Sequence, residues 1–270
     1  MNTLFSAVDP TVSYCFIGII GLIVGSFLNV VIYRLPLTLM SENSSLNVCF
    51  PRSFCQHCKG QIPAWHNIPL LSYMILKGRC HACRQHISFQ YPLVESMTCI
   101  ASLFAAYTFG LTPLFLATLP FIWIIITLTF IDIQHQLLPD ILTLGLLWLG
   151  LILNATYPMI TLQNAVLSAA GGYMSLWLFM KIFYCLTGKI GMGHGDFKLF
   201  AAFGAWFGWT ALPLILMMSS LLGSVVGLFY LKIQHKTKET PIPFGPFLCC
   251  AGFISLVYGD KLLRWYLTLI

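Results

Sequence analysis

The chain has 270 residues, of which 58% are hydrophobic and 8% charged, with a formal net charge of +6. Soluble domains carry about 25% charged residues, so this composition excludes an ordinary water-soluble enzyme and a disordered tail. The 14 Lys and Arg make no dense basic face, which excludes a typical nucleic-acid binder. At about 20 apolar residues per crossing, the hydrophobic content supplies roughly seven or eight helices, and the chain reads as an all-α polytopic protein of a lipid bilayer.

In chain order, the first element is a charge-free apolar run over 12–33, long enough to span. No Lys or Arg precedes it, and it is longer than the apolar core of a cleaved signal peptide. Residues 34–91 form a polar insert holding Arg34, Arg52, Lys59, Lys77, Arg79 and Arg84 against the single acid Glu42. That excess of positive charge places the insert in the cytoplasm. From Pro92 onward the composition is again that of a membrane, with spans expected at about 92–109, 113–131, 141–157, 162–187, 197–210, 211–231 and 245–267. With the first run this gives about eight transmembrane helices; because 197–210 is short and abuts its neighbour, seven well-separated spans also fit. Ten-residue alternation of the β-barrel kind is missing from these runs. The expected organisation is a first transmembrane helix (1–33), a cytoplasmic insert (34–91) and a transmembrane domain (92–270). Alternation across eight spans returns 132–140, 188–196 and 232–244 to the cytoplasmic side. Lys189, Lys232, Lys236 and Lys238 agree with that; Lys261 and Arg264 run against it. The pairs Gly21/Gly25, Gly204/Gly208 and Gly223/Gly227 have the spacing that lets helix backbones approach closely in lipid.

The insert carries two Cys-x-x-Cys pairs, Cys55/Cys58 and Cys80/Cys83, separated by 21 residues. Each pair can present two thiolates to one ion, and together they complete a closed four-sulfur shell for a structural zinc. A small polar segment with little apolar core also needs such a staple, and a cytoplasmic location disfavours disulfides. His57 and His81 lie within the knuckles, but four cysteines already fill the shell. Cys15, Cys99, Cys185, Cys249 and Cys250 fall in apolar runs and read as small core residues.

Asp and Glu number only 8 in the chain, and ionisable groups beside hydrocarbon are costly. Asp132 ends a helix, Asp140 follows Pro139, and Asp196 follows Gly191, Gly193 and Gly195, three alternating glycines. Asp140 is placed to cap the helix after it, and Asp196 could do the same. Capping explains Asp132 badly, because a carboxylate at a helix C-terminus opposes the dipole. Two aspartates on facing helices, sharing a proton around a water, would make an acid–base pair for peptide hydrolysis; an ion or proton pathway is the rival reading. The glycines Gly193 and Gly195 are expected to allow unusual backbone angles and close approach of an extended peptide.

Gly193-His194-Gly195-Asp196 resembles the Gly-x-Gly-Asp signature of intramembrane aspartyl proteases. Asp132-Ile133-Gln134-His135-Gln136-Leu137-Leu138-Pro139-Asp140 resembles the first catalytic loop of the type IV prepilin peptidases. The run from Gly25 to Pro36 (Gly-Ser-Phe-Leu-Asn-Val-Val-Ile-Tyr-Arg-Leu-Pro) resembles that family's N-terminal motif, and the four-cysteine insert its cytoplasmic domain. The resemblance covers nearly the whole chain in order. It implies a bifunctional enzyme of the bacterial inner membrane with its active site facing the cytoplasm. Such an enzyme cuts the leader from type IV prepilins and type II secretion pseudopilins, then N-methylates the exposed residue with S-adenosylmethionine. By residue match, Asp132 and Asp196 are the catalytic aspartates, Asp140 lies outside the dyad, and Cys55, Cys58, Cys80 and Cys83 hold zinc. Many relatives carry Asp where this chain has Gln134. No methyl-donor motif is readable, and no nucleic-acid partner is implied. A transporter would explain the acids but should show internal symmetry or paired broken helices, and neither is present in the sequence. A zinc-anchored scaffold leaves Asp132 unexplained.

Overall fold

The computed structural model describes residues 9–40, 52–189, 191–234 and 243–268; Glu42, Cys49, Lys236 and Lys238 lie outside them. Among the described residues the architecture is helical, with two isolated antiparallel bridges in the insert. The helices are α1 (Pro10–Met40), α2 (Leu71–Ile75), α3 (Gln90–Phe109), α4 (Pro113–His135), α5 (Asp140–Thr156), α6 (Leu162–Thr187), α7 (His194–Phe207), α8 (Ala211–Gln234) and α9 (Gly245–Leu267). Among the described residues, five stretches are long and apolar enough to cross a membrane: Pro10–Met40, Gln90–Phe109, Pro113–His135, Leu162–Thr187 and Ala211–Phe229. The chain is therefore a multi-pass membrane protein. Two shorter helices, Asp140–Thr156 and Gly245–Gly259, are apolar as well. The eight expected spans thus correspond to eight helices, of which five meet the length and composition of a full crossing.

α1 does not stop where the apolar run stops. It continues past Tyr33 through Pro36 to Met40. Composition marks where hydrocarbon ends, while the helix continues because its polar end has protein to lean on. Arg34 is buried at 4% exposure, donates to the carbonyl of Arg52 at 3.4 Å, and lies over the Phe54 ring.

The chain divides into two compact units, 1–127 and 128–270. In the first, α1 packs against α3 through glycine. A Cβ on Gly21 would lie 2.8 Å from the Cα of Cys99, and one on Gly25 would lie 2.7 Å from the Cα of Glu95. No side chain larger than hydrogen fits there without moving a backbone, so the small-residue spacing of this pair is a packing device.

In the second unit α7 is the core. It is apolar on nearly every side, and Leu199, Ala202, Phe203 and Ala205 have no exposed surface, the pattern of a helix enclosed by others. α6 meets it at Gly204, where Ser168 Oγ donates to the Gly204 carbonyl at 2.8 Å. α5 meets it at two polar points. Trp206 Nε1 donates to the Leu146 carbonyl at 2.8 Å, and Asn154 Nδ2 donates to the Ala205 carbonyl at 2.9 Å. The same Asn154 accepts the backbone N–H groups of Met159 and Ile160 at 3.0 Å each, through Oδ1. A single buried amide therefore ties the end of α7 to the turn after α5.

Candidate active site and metal centre

Three segments of the second unit converge on the acids: the last turn of α4, the first turn of α7 and the start of α9. Asp132 sits in the last turn of α4 at 6% exposure. Its own helix dipole disfavours it, but its Oδ2 accepts the N–H of Gly245, the first residue of α9, at 3.0 Å. Asp196 is the third residue of α7, at 8% exposure. Its Oδ2 accepts the N–H of Gly193 at 3.2 Å, and its Oδ1 is buried without a hydrogen-bond partner. The two carboxylates are near enough for their charges to act on each other. Each carboxylate thus faces the N-terminal, positive end of a helix. Two such ends favour negative charge on the pair, while mutual repulsion and burial oppose two full charges. The arrangement suits two carboxyls that share a single proton.

Leu138 wedges the three segments together. A Cβ on Gly195 would lie 2.6 Å from the Cβ of Leu138. One on Gly245 would lie 2.6 Å from Asp132 Oδ2 and 3.1 Å from Leu138 Cδ2. Around Gly193, by contrast, the nearest atom would be Asp196 Oδ2 at 3.6 Å, an ordinary contact. Unusual backbone angles are not the reason for these glycines, since neither Gly193 nor Gly195 is among the residues with positive φ. Close packing explains Gly195.

Asp196 does serve its helix start, reaching back to the Gly193 N–H. Asp140 does not act as a cap. It is the first residue of α5, following Pro139, and its carboxylate is bidentate with Lys198 Nζ at 2.6 and 2.7 Å. The alternative capping role fails because the side chain has a cation within reach on α7. Gly245 was not singled out in the sequence. It is 113 positions from Asp132, and the available signal was the punctuation Pro243-Phe244-Gly245-Pro246 ahead of an apolar run, which marks a helix start with unspent N–H groups.

The insert folds one turn twice. In the first knuckle the Cys55 N–H donates to the Gly60 carbonyl and the Lys59 N–H to the Cys55 carbonyl, both at 2.9 Å. In the second, Cys80 donates to Gln85 at 2.8 Å and Arg84 to Cys80 at 3.0 Å. Lys59 and Arg84, at matching positions, adopt φ of 57° and 60°, and the bridges Phe54–Gln61 and Arg79–His86 flank the two turns alike. The four sulfurs come together: one ligand atom from each of Cys55, Cys58, Cys80 and Cys83 lies within 4.8 Å of the others, with Cys55 and Cys83 Sγ at 3.9 Å. A tetrahedral zinc with Zn–S bonds near 2.3 Å separates its sulfurs by about 3.8 Å, so the cluster fits that ion. A backbone hydrogen bond with Gln85 lowers the pKa of Cys83. Desolvation and hydrogen bonds with the other three thiols outweigh it and push the value up to about 11. The His81 ring lies against that of His66, tilted by 40° with centroids 4.7 Å apart, and neither His57 nor His81 joins the cluster.

Residues 19–109 match the family model described as the bacterial peptidase A24 N-terminal domain, and residues 119–228 that of the type IV leader peptidase family. The chain is 51% identical to a prepilin leader peptidase/N-methyltransferase of Legionella pneumophila, with 96% of each chain covered. It is 45% identical to the protein of that name from Aeromonas hydrophila and 43% identical to that from Pseudomonas putida, with 96% of this chain and 95% of each relative covered. No solved structure matches the chain. End-to-end identity at this level, with both domains matched in order, means that the chain belongs to the type IV leader peptidase family.

Proposed function

We propose that this chain cleaves the leader peptide of type IV prepilins and type II secretion pseudopilins and then N-methylates the new N-terminus. Asp132 and Asp196 are its catalytic residues. The observation that carries the reading is their convergence: two buried carboxylates from separate helices, each held through one oxygen by a backbone N–H, with Asp196 Oδ1 left unpartnered. A carboxylate pair of this kind hydrolyses peptides without a protein nucleophile. The ionised member takes a proton from water while the protonated member hydrogen-bonds the scissile carbonyl. The tetrahedral intermediate then collapses as a carboxyl proton passes to the leaving amine. The sequence holds neither His-Glu-x-x-His nor another motif for a zinc protease. Gly193 and Gly245 position the pair by their N–H groups, and Gly195 keeps α7 against Leu138.

The excess of Lys and Arg in 34–91 orients that insert, and with it both aspartates, toward the cytoplasm of the bacterial inner membrane. There a basic leader meets the apolar helix of its pilin, which suits an active site at the membrane boundary. Zinc held by Cys55, Cys58, Cys80 and Cys83 is structural, because four thiolates leave no open position. S-adenosylmethionine would supply the methyl group for the new N-terminal amine. The test is incubation of the purified protein with a prepilin, with and without methyl donor. Shortening of the substrate without donor and a mass gain of one methyl with it are expected. An intact prepilin would reject the reading in favour of a transporter or scaffold.

A further inference from the structure

One face of the otherwise polar insert is apolar and bare. Trp65 lies in a single 3₁₀ turn (Ala64–Asn67), and Ile68 follows it. Leu71, Met74 and Ile75 stand in α2 at the i, i+3 and i+4 spacing of one helix side. Trp65, Met74 and Ile75 are 73%, 71% and 76% exposed, more than Phe16 at 57% on the spanning helix α1. The two pieces form one patch, because Ser72 turns inward from α2 and its Oγ donates to the Trp65 carbonyl at 2.8 Å. A contiguous apolar surface outside the spans marks a contact with something else.

Height and charge say what that partner is. The Leu70 N–H, at the start of α2, donates to Glu95 Oε2 at 2.9 Å. Leu70 adopts a φ of 59°, a conformation leucine seldom takes, and this bond holds it there. Glu95 is the sixth residue of α3, which has 20 residues and is long enough to span. Twenty residues rise about 30 Å, no more than the hydrocarbon is thick. The first turns of α3 therefore reach no further out than the headgroup layer, and α2 starts level with them. The charge is of one sign. Residues 52–91 hold Arg52, Lys59, Lys77, Arg79 and Arg84 and no acid, and Lys77 and Arg79, just after α2, are exposed. With 5 residues, α2 is too short to cross a bilayer.

We propose that the face formed by Trp65, Ile68, Leu71, Met74 and Ile75 seats in the boundary between headgroups and acyl chains of the leaflet on the insert's own side, with Lys77 and Arg79 on anionic phosphates. Tryptophan favours that layer, and an apolar face edged by cations is the pattern of a helix lying in a membrane surface. A second copy of the chain fits less well, since two sets of these cations would meet with no acid between them. The contact fixes the height of the insert over the bilayer, and it does not depend on which reaction the protein performs.

The experiment uses the full chain, one copy per lipid nanodisc, with circular dichroism as the check of folding. Subtracting the emission of Trp65→Phe from that of the wild type isolates Trp65; Met74→Trp against the wild type reports the same face independently. Each is quenched by phosphatidylcholine brominated on its acyl chains and, separately, by iodide in the water. Expected are loss of at least half of the reporter emission to the brominated lipid and little loss to iodide. Ile75→Asp should reverse that order, and phosphatidylglycerol in the disc should deepen the lipid quenching in the wild type but not in Lys77→Gln with Arg79→Gln. Quenching by iodide alone would show a face open to water. Shielding from both quenchers would show a face covered by protein, and a reporter that responds only when prepilin is added would assign it to the substrate. Each of these three results overturns the proposal, and an unchanged response to phosphatidylglycerol overturns the role of the two cations.

Discussion

Gly245 shows how little room the dyad leaves. Its N–H holds Asp132, and its missing side chain leaves space for the same oxygen, 2.6 Å from where a methyl would stand. Gly245→Ala should push the carboxylate off its hydrogen bond. Since a displacement of about 1 Å can cost 10²-fold in rate, prepilin cleavage should fall by about that factor with the protein still folded. Gly195→Ala should act similarly through Leu138, whereas Gly193→Ala meets only a 3.6 Å contact and should stay within a few-fold of wild type. Steady-state cleavage rates of the three variants check this; equal losses at Gly193 and Gly195 would show that backbone freedom, not packing, is what the motif preserves. The Asp140–Lys198 pair is half-exposed, with side chains 61% and 25% accessible. Surface pairs contribute only about 0–1 kcal/mol, so Asp140→Asn should be mild. That Asp132 and Asp196 stand apart at helix ends and that the four cysteines cluster could be anticipated from the sequence, because the signals are local: a wrong charge at a helix end and a two-fold knuckle spacing. Gly245 could not, because its role exists only once α9 folds against α4.

At the scale of elements, the insert and α7 rely on different supports. The insert is small and polar, so its two turns would depend on an ion held between the four cysteines. Cys55→Ser should remove zinc and expose residues 52–91 to limited proteolysis, read by elemental analysis and protease mapping. The pH dependence has a definite sign. A Cys83 thiol raised to about 11 without metal is protonated at neutral pH, so zinc must displace protons, and apparent affinity should weaken as pH is lowered from 8 to 6. A pH-independent affinity would mean that the thiols are not the ligands. α7 needs no ion. Its 14 residues are short for a crossing, yet α5, α6 and α9 surround it, and Asn154 and Ser168 satisfy carbonyls near its end. Composition showed this segment as a short span beside another. Its central place could not be read, because one apolar run looks the same whether lipid or protein lies around it.

For the whole molecule, the helical class and the polar insert followed from charge and hydropathy alone, since the bilayer dictates both. The end of α1 did not follow, because Arg34 leans on Arg52 and Phe54 of the insert, which lie outside the apolar run. Orientation rests on the positive charges of 34–91. Single cysteines introduced beside Lys59 or Lys77 should resist a membrane-impermeant thiol reagent added to intact cells and react once the inner membrane is opened. Reaction in intact cells would invert the topology and both aspartates with it.

Prepilin cleavage by Asp132→Asn and Asp196→Asn bears most directly on the central claim, that one proton shared by two carboxyls drives the hydrolysis. Asparagine keeps the shape and an oxygen for the Gly245 or Gly193 N–H but cannot take a proton from water. Each variant should therefore be folded, membrane-inserted and inactive in leader cleavage, while methyl transfer to a pre-cleaved pilin continues. Cleavage at the wild-type rate by either variant would contradict the account.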